Sequence, residues 1–333
     1  MKTRARQIVR TLAPLTVALG LLGCQEAAPK VEAPKPVVVA SFYPLYEFAR
    51  QVAGDRAEVV SLVPPGVEPH DWEPAPADVA RVEKAAVFIY NGAGFDPGAE
   101  RLAKNLAAAG KPVVDATAGL PLRMVDVRDH GHHAHGHGHK HDHGKAKAAA
   151  PEGSAKAEEQ DPHVWVDPIL AKAQVELIRS ALAKADPPNA AGYAERAAGF
   201  AARLDALHQS YERGLADCAR REIVVSHAAF TYLAHRYKLS QVAVMGLSPE
   251  AEPSPAELAR VVRTVRKLKA KTIFFETLVS KRVAETIAAE VGATTMVLNP
   301  IEGLTPDEAK AGKDYLSLMA DNLTNLRAAL DCK

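Results

Sequence analysis

Residues 187–215 read PPNAAGYAERAAGFAARLDALHQSYERGL. After Pro187-Pro188, apolar residues recur at Tyr193, Ala197, Phe200, Leu204, Leu207, Tyr211 and Leu215. Steps of three and four trace one face of a helix of about 30 residues. That helix divides the chain. Four short apolar runs rich in β-branched residues precede it, at 37–45, 57–64, 86–91 and 111–117. Four more follow, at 221–226, 241–247, 271–276 and 294–298. Helical segments separate most of them. Continuous apolar strands alternating with helices indicate an α/β fold with parallel sheets covered on both faces.

Outside this framework the ends read differently. Lys2, Arg4, Arg6 and Arg10 form a basic start, followed by an apolar run from Leu12 to Leu22 that is too short to span a bilayer. Leu21-Leu22-Gly23-Cys24 closes it with a small residue directly before a cysteine. This predicts a lipoprotein signal over 1–23, with Cys24 as the lipidated first residue of the exported chain. Residues 24–36, rich in Pro and Ala, then serve as a tether to the membrane. Export places the two other cysteines, Cys218 and Cys332, in an oxidising compartment, where they are expected to pair and pin the C-terminal helix. No CxxC is present to bind zinc or exchange disulfides. The 41 basic residues, less the four of the signal, stand against 40 acidic ones. So balanced a charge gives no case for nucleic-acid binding. The exported chain is long enough for two domains.

Eight of the 13 histidines fall in HGHHAHGHGHKHDH: His130, His132, His133, His135, His137, His139, His141 and His143. Imidazole is the commonest protein ligand for zinc, copper and nickel, so this tract predicts contact with such an ion. Its interspersed glycines rule out a fixed geometry. The segment 128–160 reads as a low-complexity insertion, a metal-collecting loop rather than the main site.

Three other histidines stand in distinctive contexts. His70 lies in GVEPHDWEP past the second apolar run, His163 in DPHVWVDP before a helix, and His227 in SHAAF at the end of the fifth run. Ligands of doubly wound sheets gather beyond the carboxyl ends of strands. One such histidine is usually structural; three beside a His-rich loop predict a shared metal site. Asp71, Asp161 and Asp167 are nearby candidates to orient the imidazoles. Glu276, ending a buried strand in FFET, needs a partner and is expected to support the site. His208, beside the helical stripe, reads as a packing histidine.

The motifs GVEPHDWEP, ADVARVEKAAVFIYNGAGFD, DPHVWVDP, SHAAFTYLAHRYKL and LNPIEGL, in this order from about Val37 to Cys332, resemble the zinc receptors among the cluster A-I substrate-binding proteins. These are the ZnuA/AdcA-like lipoproteins of zinc ABC importers. The resemblance implies two lobes, each with a four-stranded mostly parallel sheet flanked by helices, joined by one long rigid helix that permits limited closure. The N-terminal lobe would span 37–185, the connecting helix 186–217 and the C-terminal lobe 218–333. It places His70, His163 and His227 on the family's three histidine ligands, the first two from one lobe and the third from the other. The fourth position is open among Glu302, Asn299 and water. The turn reads Val297-Leu298-Asn299-Pro300-Ile301-Glu302-Gly303-Leu304, with an asparagine where manganese and iron relatives carry an aspartate. Glutamate in the zinc receptors with this LNP-E pattern favours Glu302.

The function this implies is high-affinity capture of one Zn2+, with further weak ions on the histidine tract. A monomeric receptor, lipid-anchored on the extracytoplasmic side, would deliver it to a membrane permease. Lacking GxxxxGK[ST], the chain would depend on a separate ATPase. A manganese or iron receptor is the first alternative; His227, where those branches place a glutamate, opposes it. A zinc buffer or adhesin built around the tract is the second. A zinc enzyme is the third, opposed by the lack of HExxH and GxSxG.

Overall fold

The computed structural model describes residues 34–126, 158–249 and 253–333. The first part comprises β1 (Val37–Ala40), α1 (Tyr43–Ala53), β2 (Glu58–Ser61), α2 (Pro76–Lys84), β3 (Val87–Tyr90), α3 (Pro97–Ala108) and β4 (Val113–Asp115). A strand pair, β5 (Met124–Asp126) and β6 (Glu158–Gln160), precedes α4 (Pro168–Ala185) and α5 (Ala190–Gly214). The second part comprises β7 (Glu222–Val225), α6 (Thr231–Arg236), β8 (Ser240–Ala243), α7 (Pro255–Leu268), β9 (Thr272–Phe275), α8 (Arg282–Val291), β10 (Thr294–Val297), α9 (Pro306–Lys310) and α10 (Tyr315–Ala329).

The two large sheets repeat one plan. The first runs β2-β1-β3-β4 and the second β10-β9-β7-β8, every pair parallel. Counted from its own first strand, each sheet has the order 2-1-3-4. The connection therefore reverses direction beside the first strand, leaving a crevice between strands one and three. Strand residues alternate between two cores, as a pleated strand covered on both faces requires. Val38, Ala40, Ile223 and Val225 enter a core shared by both halves. Val39 and Phe88 enter a separate cluster on the far face of the first sheet, and Val224 and Ile273 one on the far face of the second. Lys35–Lys333 forms one compact unit.

The helix across the middle is shorter than the apolar stripe predicts. Asp186 and the Pro187–Asn189 turn separate α4 from the 25 residues of α5. Every stripe residue is nonetheless buried, Leu215 included. α5 packs against α4, α1 and α10, so it contacts elements of both halves. A strand forms at each of the eight apolar runs and is shorter than the run, with β8 starting one residue ahead of its run at Ser240. The run at 37–45 is the clearest case, because Pro44 in the first turn starts α1 at Tyr43. The 128–160 insertion is also shorter at its end: Glu158–Gln160 pairs antiparallel with Met124–Asp126. Nothing in that acidic tripeptide has strand character, and backbone pairing with its partner decides it. Cys218 and Cys332 form a disulfide, tying the residues after α5 to the end of the chain.

Candidate metal centre

His163 and His227 are delivered by backbone at the start of a helical turn and just past the end of a strand, and His70 by the loop between β2 and α2. His227 lies two residues past β7, and Glu276 directly follows the adjacent β9 at the crevice of the second sheet. Glu276 Oε1 lies 2.7 Å from His227 Nδ1 and accepts from the His227 backbone N–H at 3.2 Å. His163 is held the same way from the other half. Asp161 Oδ1 lies 2.8 Å from its Nδ1 and accepts from its backbone N–H at 2.9 Å. Asn91, at the end of β3, fixes that segment by donating to Pro162 O at 2.9 Å. His70 follows β2 in a loop whose backbone N–H donates to Glu68 at 3.0 Å. Its ring packs edge-on against Phe95 at 4.5 Å. A carboxylate on Nδ1–H leaves Nε2 of that imidazole with the free electron pair, so these two contacts aim His163 and His227.

The three Nε2 atoms meet the carboxylate of Glu302. Its Oε1 lies 3.4 Å from His70 Nε2, 3.3 Å from His163 Nε2 and 3.2 Å from His227 Nε2. The His163 and His227 Nε2 atoms lie 3.3 Å apart. All four donor atoms fall within 4.8 Å of one another. A tetrahedral zinc ion with bonds of ~2.0–2.1 Å needs ligand–ligand edges of about 3.3–3.4 Å. Four of the six donor–donor separations, 3.2–3.4 Å, match those edges, within a set that spans no more than 4.8 Å. Among the described residues, His70 Nε2 and Glu302 Oε1 are buried with no hydrogen-bond partner, a costly state that a cation at the centre would relieve. His70 and His163 precede α5; His227 and Glu302 follow it. An ion there would bond both halves.

Electrostatics sharpen the picture. Burial dominates at His70 and lowers its pKa, favouring the neutral form that binds metal. At His163 and His227 burial also works downward, but the carboxylates facing them outweigh it. Asp161 raises His163, and Glu276 with Glu302 holds His227 well above its usual value. Burial works to raise the Glu302 carboxyl, yet the imidazoles of His227 and His70 hold it well below the carboxylate range. Glu302 therefore stays an anionic donor.

Asn299, the other candidate for the fourth position, points its side chain elsewhere. Its Oδ1 accepts from the Ile301 backbone N–H at 2.7 Å and its Nδ2 donates to Glu308 at 3.2 Å. Between them Ile301 takes a left-handed backbone, φ 63°, with its side chain fully buried. A β-branched residue there costs about 1–3 kcal/mol. The turn has this shape because Asn299 ties it off, and the shape turns Glu302 inward.

Residues 38–329 match the family described as zinc-uptake complex component A, periplasmic (ZnuA). The chain belongs to the ZnuA family. It is 37% identical over 293 residues to the high-affinity zinc uptake system protein ZnuA of Bacillus subtilis, covering 88% of this chain and 87% of that one. It is 38% identical over 294 residues to the zinc-binding lipoprotein AdcA of Streptococcus pneumoniae, covering 88% of this chain but 56% of that relative's length. The crystal structure of the Zn(II)-bound ZnuA-like domain of that AdcA superposes with a TM-score of 0.71 at 36% identity, covering 90% of this chain and all of the domain.

In this ZnuA-family chain the remaining sequence candidates fall into three groups. Cys24 and the tract from His130 to His143 lie outside the described residues. Asp161 takes the orienting contact, whereas Asp71 is exposed and Asp167 caps α4 through Ile169 N–H and pairs with Arg236. His208 packs against Tyr237, its Nδ1 3.1 Å from the phenol oxygen. The sequence reading missed Phe95 and Trp165, which close around the histidines at 4.5 Å from His70 and 5.2 Å from His163. Trp165 stands inside the DPHVWVDP motif, so its position was visible although its contact was not.

Proposed function

We propose that the chain is an extracytoplasmic receptor that captures one Zn2+ between its two lobes and hands it to the permease of an ABC importer driven by a separate ATPase. The observation that carries this reading is the convergence of three imidazoles and one carboxylate, their donor atoms all within 4.8 Å of one another. Neutral imidazoles with a single carboxylate suit zinc, whereas manganese prefers more oxygen donors. His70, His163, His227 and Glu302 are the ligands in this reading, with Asp161 and Glu276 orienting two of them. Glu302 occupies the position that a catalytic zinc leaves open to water or substrate, so the reading is carriage rather than catalysis. Names of relatives support the transport role: a zinc uptake system protein and a zinc-binding lipoprotein.

Lipidation at Cys24 and the tether over 24–36 would hold a monomeric receptor on the membrane. The histidine tract joins β5 to β6, and Glu159 and Gln160 of β6 line a cleft of about 430 Å³ that opens on His70. Attachment at that rim favours an auxiliary role for the tract, collecting ions beside the site. The test is a competition titration of Zn2+ against a chromogenic chelator, with and without residues 130–143 and with Mn2+ as rival. One tight zinc site that survives the deletion and resists excess Mn2+ is expected. Loss of tight binding with the tract would replace the receptor with a zinc buffer.

A further inference from the structure

The turn that carries Glu302 is gripped from two sides. On its own side stands Asn322 of α10, 1% exposed. Its amide donates to Asn299 O at 2.6 Å, and its Oδ1 accepts from the Asn299 N–H at 2.8 Å. Asn325, one turn further along α10, donates to Val297 O at 2.9 Å. One face of α10 thus holds the end of β10 and the first residue of the turn. From Asn299 the grip passes to Ile301, whose N–H is taken by Asn299 Oδ1 and whose backbone is left-handed. From the other half, Trp165 Nε1 donates to Pro300 O at 2.7 Å and Gly66 N–H to Leu304 O at 2.7 Å. Those two bonds bracket Glu302 on either side.

A β-branched residue in the left-handed region persists only where its surroundings over-determine it. Here the surroundings are an amide that satisfies both polar atoms of a single backbone residue, in a setting too buried for water to substitute. We propose that Asn322 is a positioning residue of the metal centre: α10, through Asn299 and the left-handed Ile301, delivers Glu302 as the fourth donor, and Trp165 registers that turn against the histidines. The inference rests on the reading of the four-residue cluster as the zinc site. Without Asn322 the turn is free to relax, Glu302 leaves the cluster, and the ion keeps three imidazoles with water as the fourth donor.

The experiment uses the full chain as wild type, Glu302→Ala, Asn322→Ala and the double variant. Each is titrated with Zn2+ against a chelator and loaded with Co2+, whose visible bands report coordination number and donor set. Asn322→Ala should bind Zn2+ on the order of 10- to 100-fold more weakly, as loss of a group that orients a ligand does. Its Co2+ spectrum should match that of Glu302→Ala, and the double variant should bind no more weakly than Glu302→Ala alone. A wild-type Co2+ spectrum in Asn322→Ala, or a loss that adds to that of Glu302→Ala, overturns the proposal. Asn299→Ala removes the acceptor for Ile301 N–H while leaving α10 untouched, and should give the same spectral change if Asn322→Ala does not fold. Failure of the zinc reading looks different: the wild type itself would take up no tightly bound Zn2+, or Glu302→Ala would keep the wild-type spectrum.

Discussion

Asp161 and Glu276 each lie against the Nδ1 of one clustered histidine, His163 and His227. Glu276, 4% exposed, can tolerate burial because His227 lies against it. Glu276→Gln keeps the shape but removes the charge that fixes the tautomer. It should weaken zinc binding by about 10- to 100-fold, read by chelator competition; unchanged affinity would mean the backbone alone orients His227. Asp96 tells a separate story. It caps α3 by accepting from Ala99 N–H at 2.7 Å, and burial pushes its pKa up to about 6 from 3.8. The folded state therefore holds this proton more tightly than the unfolded one, and stability falls as pH rises from about 4 through about 6. Asparagine caps equally well without the charge. Asp96→Asn should be more stable than the wild type at pH 8 by about 1–3 kcal/mol, with the gain gone at pH 4. Urea unfolding at the two pH values checks this, and an equal difference at both would refute it.

The elements follow the sequence where burial is periodic and depart from it where backbone chemistry intervenes. The α5 stripe was legible because steps of three and four have one helical meaning. The strand pair β5–β6 was not, because a short polar strand exists only through its partner. The disulfide acts at this scale. It links Cys218 to Cys332 across 114 positions, tying the chain after α5 to the end of α10. A loop that long predicts about 4.7 kcal/mol from restriction of the unfolded chain. Reduction should therefore lower the melting temperature by roughly 10 °C. Identical melts with and without reductant would show that the bridge adds nothing to stability.

On the scale of the molecule, two sheets share one strand order, and each half supplies two of the four clustered side chains. Such a site is incomplete in either half alone. An ion bound there stabilises only the assembled form, by about 4 kcal/mol when its free concentration is a thousand times the dissociation constant. Saturating Zn2+ should accordingly raise the melting temperature in a single transition, and a chelator should reverse the rise. A rise confined to one of two transitions would mean that the ion binds one half only.

By itself the amino-acid sequence determined the alternation of apolar strands with helices and the dividing helix, because periodicity is a local property of the chain. Long motifs such as DPHVWVDP carried the family. The family pattern favoured Glu302 over Asn299, and the tertiary structure shows which of the two side chains lies against the histidines. Asn299 and Glu302 lie three residues apart, and nothing in their order says which faces the histidines. Asn322 and Trp165, distant in sequence, hydrogen-bond the backbone of this turn, in which Ile301 is left-handed and the Glu302 carboxylate lies against the histidines. The shared topology of the two sheets was likewise invisible, since strand order is set by packing between segments that the sequence keeps far apart.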